Sequence, residues 1–138
     1  MKAKKTKRII IYAMCFLVPL AIATCYFIYR KFAPFGNSSI MTVDMGQQYI
    51  DFFAHYRDTL LHNPSGFIYS FANALGGGMI GTWSYYLMSP LNLLILLFPI
   101  SKLPSVIAVI TLLKYGLSGL SFGYFLIKSK KYVSWSVV

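Results

Sequence analysis

Apolar residues fall in long uncharged runs along the chain, parted by short polar breaks. Ile9 to Tyr29 holds no charge over 21 residues, roughly 31 Å as a helix and enough to span a bilayer. Ser105 to Ile127 is 23 residues long with a single charge, Lys114, and is also long enough to span. Between them, Trp83 to Ile100 is apolar but broken by Pro90 and Pro99. It reads as a short span or as a re-entrant helix that only partly enters the membrane. This pattern predicts an all-α integral membrane protein with two to three transmembrane helices.

One stretch departs from that pattern. Met41 to Asn63 contains all three acidic residues, Asp44, Asp51 and Asp58, spaced seven apart. Seven residues is close to two helical turns, so a regular helix places the three on one face. Gln48, His55 and His62 fill the gaps on that face. Met45, Tyr49, Phe52, Tyr56 and Leu60 form a flank beside it. The spacing predicts an amphipathic helix over about 43–62, with a polar stripe and an aromatic flank able to rest in the membrane interface.

Composition agrees with the membrane class. Of 138 residues 57% are hydrophobic, and the aromatic share of 17% suits residues that favour the bilayer surface. The net charge of +10 would suggest nucleic acid in a soluble protein. Here the basic residues flank apolar runs, which points to topology signals and anionic membrane lipid, with no nucleic acid as partner. Residues 1–8 form a basic tail with five Lys and Arg, against Arg30 and Lys31 after the first span (9–29). This bias predicts a cytoplasmic N-terminus and an extracellular loop over 30–82 in a multi-pass protein of the plasma membrane. An uncleaved signal-anchor helix is expected over a cleaved signal peptide, because the apolar run exceeds a usual h-region. Cys15 and Cys25 both lie in that run, too far apart along a helix for a bridge, and read as packing residues.

Turn chemistry punctuates the rest. Phe32 to Ile40 carries Pro34, Gly36 and Asn37 as an exit loop, and Asn63-Pro64-Ser65-Gly66 ends the amphipathic helix. Phe67 to Gly81 is Gly-rich. Gly76-Gly77-Gly78 has no Gly-Lys-Ser/Thr after it, so it is no phosphate loop; it reads as a flexible bend or close backbone packing, or as bare backbone that lets a ligand approach closely. If residues 83–100 and 105–127 both span, the Lys128–Lys131 cluster falls outside. A re-entrant 83–100 puts it inside, as the positive-inside rule prefers. Residues 128–138 read as a basic loop and the start of a further apolar segment, so the chain looks like the beginning of a longer polytopic protein.

Candidate chemistry is sparse. No zinc-protease motif and no nucleophile elbow occurs. Asp51, His55 and Asp58 have i, i+3 and i+4 spacings that permit a divalent cation without requiring one. The bland alternative is a solvated helix face with mild Asp–His pairing. Lys114 within a span costs about 2.5–3.5 kcal/mol on insertion scales, so it should face protein or a water-filled cavity.

Three motifs occur in order: Asp44-Met45-Gly46-Gln47-Gln48-Tyr49, then Leu75-Gly76-Gly77-Gly78, then Tyr85-Tyr86-Leu87-Met88-Ser89-Pro90-Leu91-Asn92-Leu93-Leu94. With these the chain resembles the N-terminal part of the bacterial YfhO family. The resemblance implies the GT-C glycosyltransferase fold of large polytopic proteins that glycosylate teichoic and lipoteichoic acids of the Gram-positive cell envelope. It further implies a polyprenyl-phosphate-linked sugar as donor and a teichoic-acid-like polymer as acceptor. Asp44 would then be the catalytic base of the first external loop. Gln47, Gln48 and Tyr49 would contact sugar or phosphate, and Arg57 and Lys114 would meet the lipid phosphate. No cofactor is required by this reading, though Asp51 or Asp58 could help bind a divalent cation or simply orient the helix. Because a lipid-sugar cleft needs walls from many helices, 138 residues alone are expected to be inactive. The alternative is a non-catalytic small membrane protein, either a truncated remnant or an assembly or transport factor.

Overall fold

A computed structural model describes residues 2–72 and 75–129. The expected basic loop and further apolar segment after Ser129 lie outside the described residues. The chain forms two compact units, Met1–Gly36 with Thr111–Val138, and Asn37–Ile110. Among the described residues the regular structure is helical apart from one two-residue ladder, and the protein is an all-α membrane protein.

The first unit holds α1 (Lys2–Tyr29) and most of α4 (Leu103–Lys128). Both are long and apolar enough to cross a membrane. Ile9, Ile10, Leu17 and Ile22 of α1 and Phe122 and Phe125 of α4 point outward. Water does not tolerate so broad an apolar surface, whereas lipid does. The two helices meet at glycines. A Cβ on Gly116 would lie 2.7 Å from the Phe16 ring, and one on Gly119 would come as near to Pro19 and would strike the Cys15 carbonyl oxygen. Pro19 brings no N–H to the Cys15 carbonyl four residues back. At that carbonyl α4 passes with a bare Cα, the close approach that small residues permit between helices in lipid.

The second unit is built on a π-helical turn, Met45–Tyr49, that runs directly into α2 (Ile50–His62). A short 3-10 turn (Pro64–Phe67) leads to β1 (Tyr69–Ser70), which pairs antiparallel with β2 (Gly77–Gly78). Then come α3 (Ile80–Tyr86) and a 3-10 segment (Pro90–Leu97), bent by 97° from each other. Together they are long and apolar enough to form a broken span or a re-entrant loop. Pro90 has no N–H to continue α3, and the residue before it, Ser89, is extended.

The core of this unit centres on Trp83, which is fully buried. Its indole N–H donates to the Phe67 carbonyl at 2.7 Å. Phe67 stacks on it at 5.8 Å, Tyr56 lies at 5.3 Å and His55 at 5.5 Å. Met79, Leu87 and Ile95 complete the cluster with Phe53 and the start of α4. The expected aromatic flank of α2 is therefore spent inside the protein rather than in the membrane interface. Burial pushes the Tyr56 phenol up from its ordinary value, so it stays neutral in this core. Asn92, also fully buried, donates its amide to the carbonyls of Tyr86 and Leu87 at 3.2 Å. These are among the carbonyls that the end of α3 leaves without helical partners, so Asn92 closes the bend.

Two variants test this packing. Trp83→Phe leaves the Phe67 carbonyl without its donor and should cost about 1–3 kcal/mol. Gly119→Leu overpacks the α1–α4 contact and should cost a similar amount, about 1–3 kcal/mol. Thermal melts followed by circular dichroism in detergent should show both transitions lowered, with Gly81→Ala, where a Cβ meets nothing within 4 Å, as the unaffected control.

Candidate functional site

Two unusual backbone features bracket Asp44. Val43, just before it, has φ of 50°. A β-branched residue in the left-handed region is a genuine outlier, and it costs about 1–2 kcal/mol. Just after Asp44, the helix opens as a π turn, in which the Ile50 N–H reaches back to the Met45 carbonyl. Such turns are rare and concentrate at functional sites. The strained turn is tied down by Met45 N–H to the Thr42 carbonyl at 3.1 Å and by Gln47 N–H to the Val43 carbonyl at 3.0 Å. Asp44 stands at the helix start but makes no capping bond with its side chain, and it is exposed. Its backbone is already helical, with φ of −59° and ψ of −32°, so it does not have the extended conformation from which Asp caps a helix, and its carboxylate points free of the first turn.

The π turn also breaks the expected stripe. It takes up one more residue than an α turn, which rotates Asp44 about a quarter turn off the line of Asp51 and Asp58. Gln47 and Gln48 are exposed on the π turn beside Asp44. Tyr49 is half-buried, its ring 3.9 Å from that of Tyr86, which in turn lies 3.8 Å from Tyr85. The Tyr85 phenol first, then burial and the Tyr49 phenol, push the Tyr86 phenol up from its ordinary value. Asp44, Gln47, Gln48 and the tyrosine trio thus belong to one end of α2.

The other predicted residues lie elsewhere. Arg57 donates its Nε to the Phe98 carbonyl at 2.8 Å, tying α2 to the loop before α4. Phe98 lines an apolar groove of about 450 Å³ with Leu94, Leu97, Val106 and Val109, and Lys102 lines the same groove. Lys114 is in the first unit, exposed on α4, beside Thr111, Tyr115 and Ser118.

The metal candidates do not fit a cation. The ring of His55 turns against Trp83, and its Nε2 is shut off from solvent with no hydrogen-bond partner. Asp58 accepts a 2.8 Å hydrogen bond from His62 Nδ1. Among the described residues no three His, Cys, Asp or Glu side chains gather at one point.

The model of the family described as bacterial membrane protein YfhO matches residues 14–138. The chain belongs to the YfhO family. No curated protein and no solved structure matches it. All three motifs quoted from the sequence lie within the family's matched range, and two of them take on structural roles. Asn92 of the third motif closes the α3 bend, and Gly77 and Gly78 of the second form β2. The role of Asn92 was not read from sequence. Its signal was an amide in an apolar run two residues after a proline.

Relief of the Val43 strain is measurable. Val43→Gly removes about 1–2 kcal/mol of left-handed strain against about 0.5–1 kcal/mol of added backbone entropy. The melting temperature should hold or rise slightly. Val43→Pro, which fixes φ near −65°, should lower it clearly.

Proposed function

We propose that this YfhO family protein takes part in sugar transfer from a polyprenyl-phosphate donor to a hydroxyl of a cell-envelope polymer such as teichoic acid, with Asp44 as the general base. The observation that carries this reading is the exposed, uncapped Asp44 carboxylate held between a left-handed valine and a π turn. Strain of this kind persists where a side chain must be aimed.

In the reaction Asp44 accepts the proton of the acceptor hydroxyl while that oxygen bonds to the anomeric carbon. The bond from the anomeric carbon to the phosphate oxygen breaks, and the polyprenyl phosphate leaves with the electron pair. Attack from the face opposite the phosphate inverts the anomeric centre. General-base assistance of this type contributes about 10²–10⁴-fold. Gln47 and Gln48 offer amide donors and acceptors to sugar hydroxyls, and Tyr49 offers a phenol. The apolar groove beside Lys102 and Phe98 suits a prenyl chain. Arg57 is thirteen residues beyond Asp44, roughly 20 Å along the helix, too far to meet the phosphate of a donor whose anomeric carbon stands at Asp44.

Cells lacking the gene, complemented with wild type, Asp44→Asn or Asp51→Asn, test the reading. Asp44→Asn should lower the sugar content of teichoic acid at least about 100-fold at equal membrane abundance. Asp51→Asn should restore it. Equal restoration by Asp44→Asn would make Asp44 structural and favour a non-catalytic membrane protein.

A further inference from the structure

The opposite end of α2 carries a second concavity that the transferase reading leaves unused. It has a volume of about 550 Å³, and its walls include His55, Asp58, Asn63, Tyr69, Ser70 and Phe71. Small-molecule sites commonly measure about 300–1,000 Å³. Asp58 is fourteen residues beyond Asp44, roughly 20 Å along the helix, so this cavity is separate from the Asp44 end.

Its chemistry is mixed in a particular way. Tyr69 and Phe71 stand exposed at the wall, their rings edge to face with centroids 5.3 Å apart. The remaining wall offers a carboxylate, an imidazole, an amide and hydroxyls, and no Lys or Arg among the described residues. The polar groups are held in place by one another. Ser65 Oγ donates to Asn63 Oδ1 at 2.6 Å, Ala72 N–H donates to Ser70 Oγ at 3.1 Å, and His62 holds Asp58.

The glycine run builds the aromatic part. Gly76 has φ of 102°, and a Cβ there would fall 2.6 Å from the Tyr69 hydroxyl and 3.0 Å from the Phe71 ring. Gly77 and Gly78 pair with Ser70 and Tyr69 in the ladder. Bare backbone thus lets the hairpin close against both rings and fixes where they stand.

We propose that this cavity binds a neutral glycosyl or polyol unit. The apolar C–H face of a sugar ring carries slight positive charge and stacks on the negative face of an aromatic ring. Its hydroxyls suit Asp58, Asn63 and Ser65, since a carboxylate accepts two hydroxyl protons and an amide both donates and accepts. A phosphate is disfavoured, because the wall carries a carboxylate and lacks the cations that a phosphate needs. This goes beyond the transferase reading and stands whether or not Asp44 acts as a base.

The test uses the full chain purified in dodecylphosphocholine, a detergent without a sugar headgroup. Saturation-transfer NMR is recorded with glucose, galactose, N-acetylglucosamine and glycerol as probes. At least one probe should receive transfer. Asp58→Asn and Phe71→Ala should each weaken its binding about tenfold, the loss expected of one charge-assisted hydrogen bond or one stacking contact. Gly76→Ala should weaken it too, by displacing the rings. Ile22→Ala, on the outward face of α1, should leave it unchanged. Unchanged circular dichroism confirms that the variants fold. No transfer to any of the four probes overturns the proposal, as does loss of binding in Asp44→Ala with retention in Phe71→Ala. If Phe71→Ala instead weakens only binding to phosphatidylglycerol vesicles, the aromatic pair is a membrane anchor and the proposal is wrong.

Discussion

The second unit depends on one buried indole. Trp83 offers its N–H to the Phe67 carbonyl and its faces to Phe67, Tyr56 and His55. A single side chain therefore joins α3 to the middle of α2 and to the turn that follows α2. A buried N–H must find a partner, and the partner it finds is a backbone carbonyl in an otherwise irregular stretch. This sets the position of the loop between α2 and the glycine hairpin. Arg57 does the same for the far side of α2 through the Phe98 carbonyl. With both contacts in place α2 has little freedom to rotate, and each of its ends presents a fixed set of side chains.

Those two ends differ in chemistry. At the N-terminal end the backbone is strained, the carboxylate of Asp44 is exposed and two glutamines stand beside it. At the C-terminal end Asp58 is hydrogen-bonded to His62 and sits in a cavity walled by aromatic rings and small polar groups. One helix thus carries two candidate contacts for a polyhydroxylated substrate, one suited to chemistry and one suited to holding. The strain at Val43 is local and is offset by the packing of the helix behind it.

Much of this was legible in the sequence. The two long apolar runs, the broken apolar stretch with Pro90 and the amphipathic helix are all visible as patterns, because bilayer thickness and helical periodicity leave direct marks on residue order. The family was legible in its three motifs. The phase of the acid stripe was not. A seven-residue spacing assumes an unbroken α-helix, and nothing in Met45-Gly46-Gln47-Gln48-Tyr49 announces a π turn. Nor could spacing tell that the aromatic flank would bury itself against Trp83, since an aromatic stripe suits a lipid interface as well as a protein core. His55 illustrates the same limit: it falls on the polar stripe by number and against an indole in space. The glycine run was read as a bend or close packing, and the residues it packs against, Tyr69 and Phe71, emerge only from the fold.

The central claim is that the turn holding Asp44 meets the sugar end of a lipid-linked donor. The most direct measurement is photo-crosslinking of the membrane-embedded full chain with a polyprenyl-phosphate sugar bearing a diazirine on the sugar, followed by peptide mapping. The account expects the label on residues 41–57, around Asp44, Gln47, Gln48 and Tyr49. Label confined to α1 and α4, with none on that segment, would contradict it.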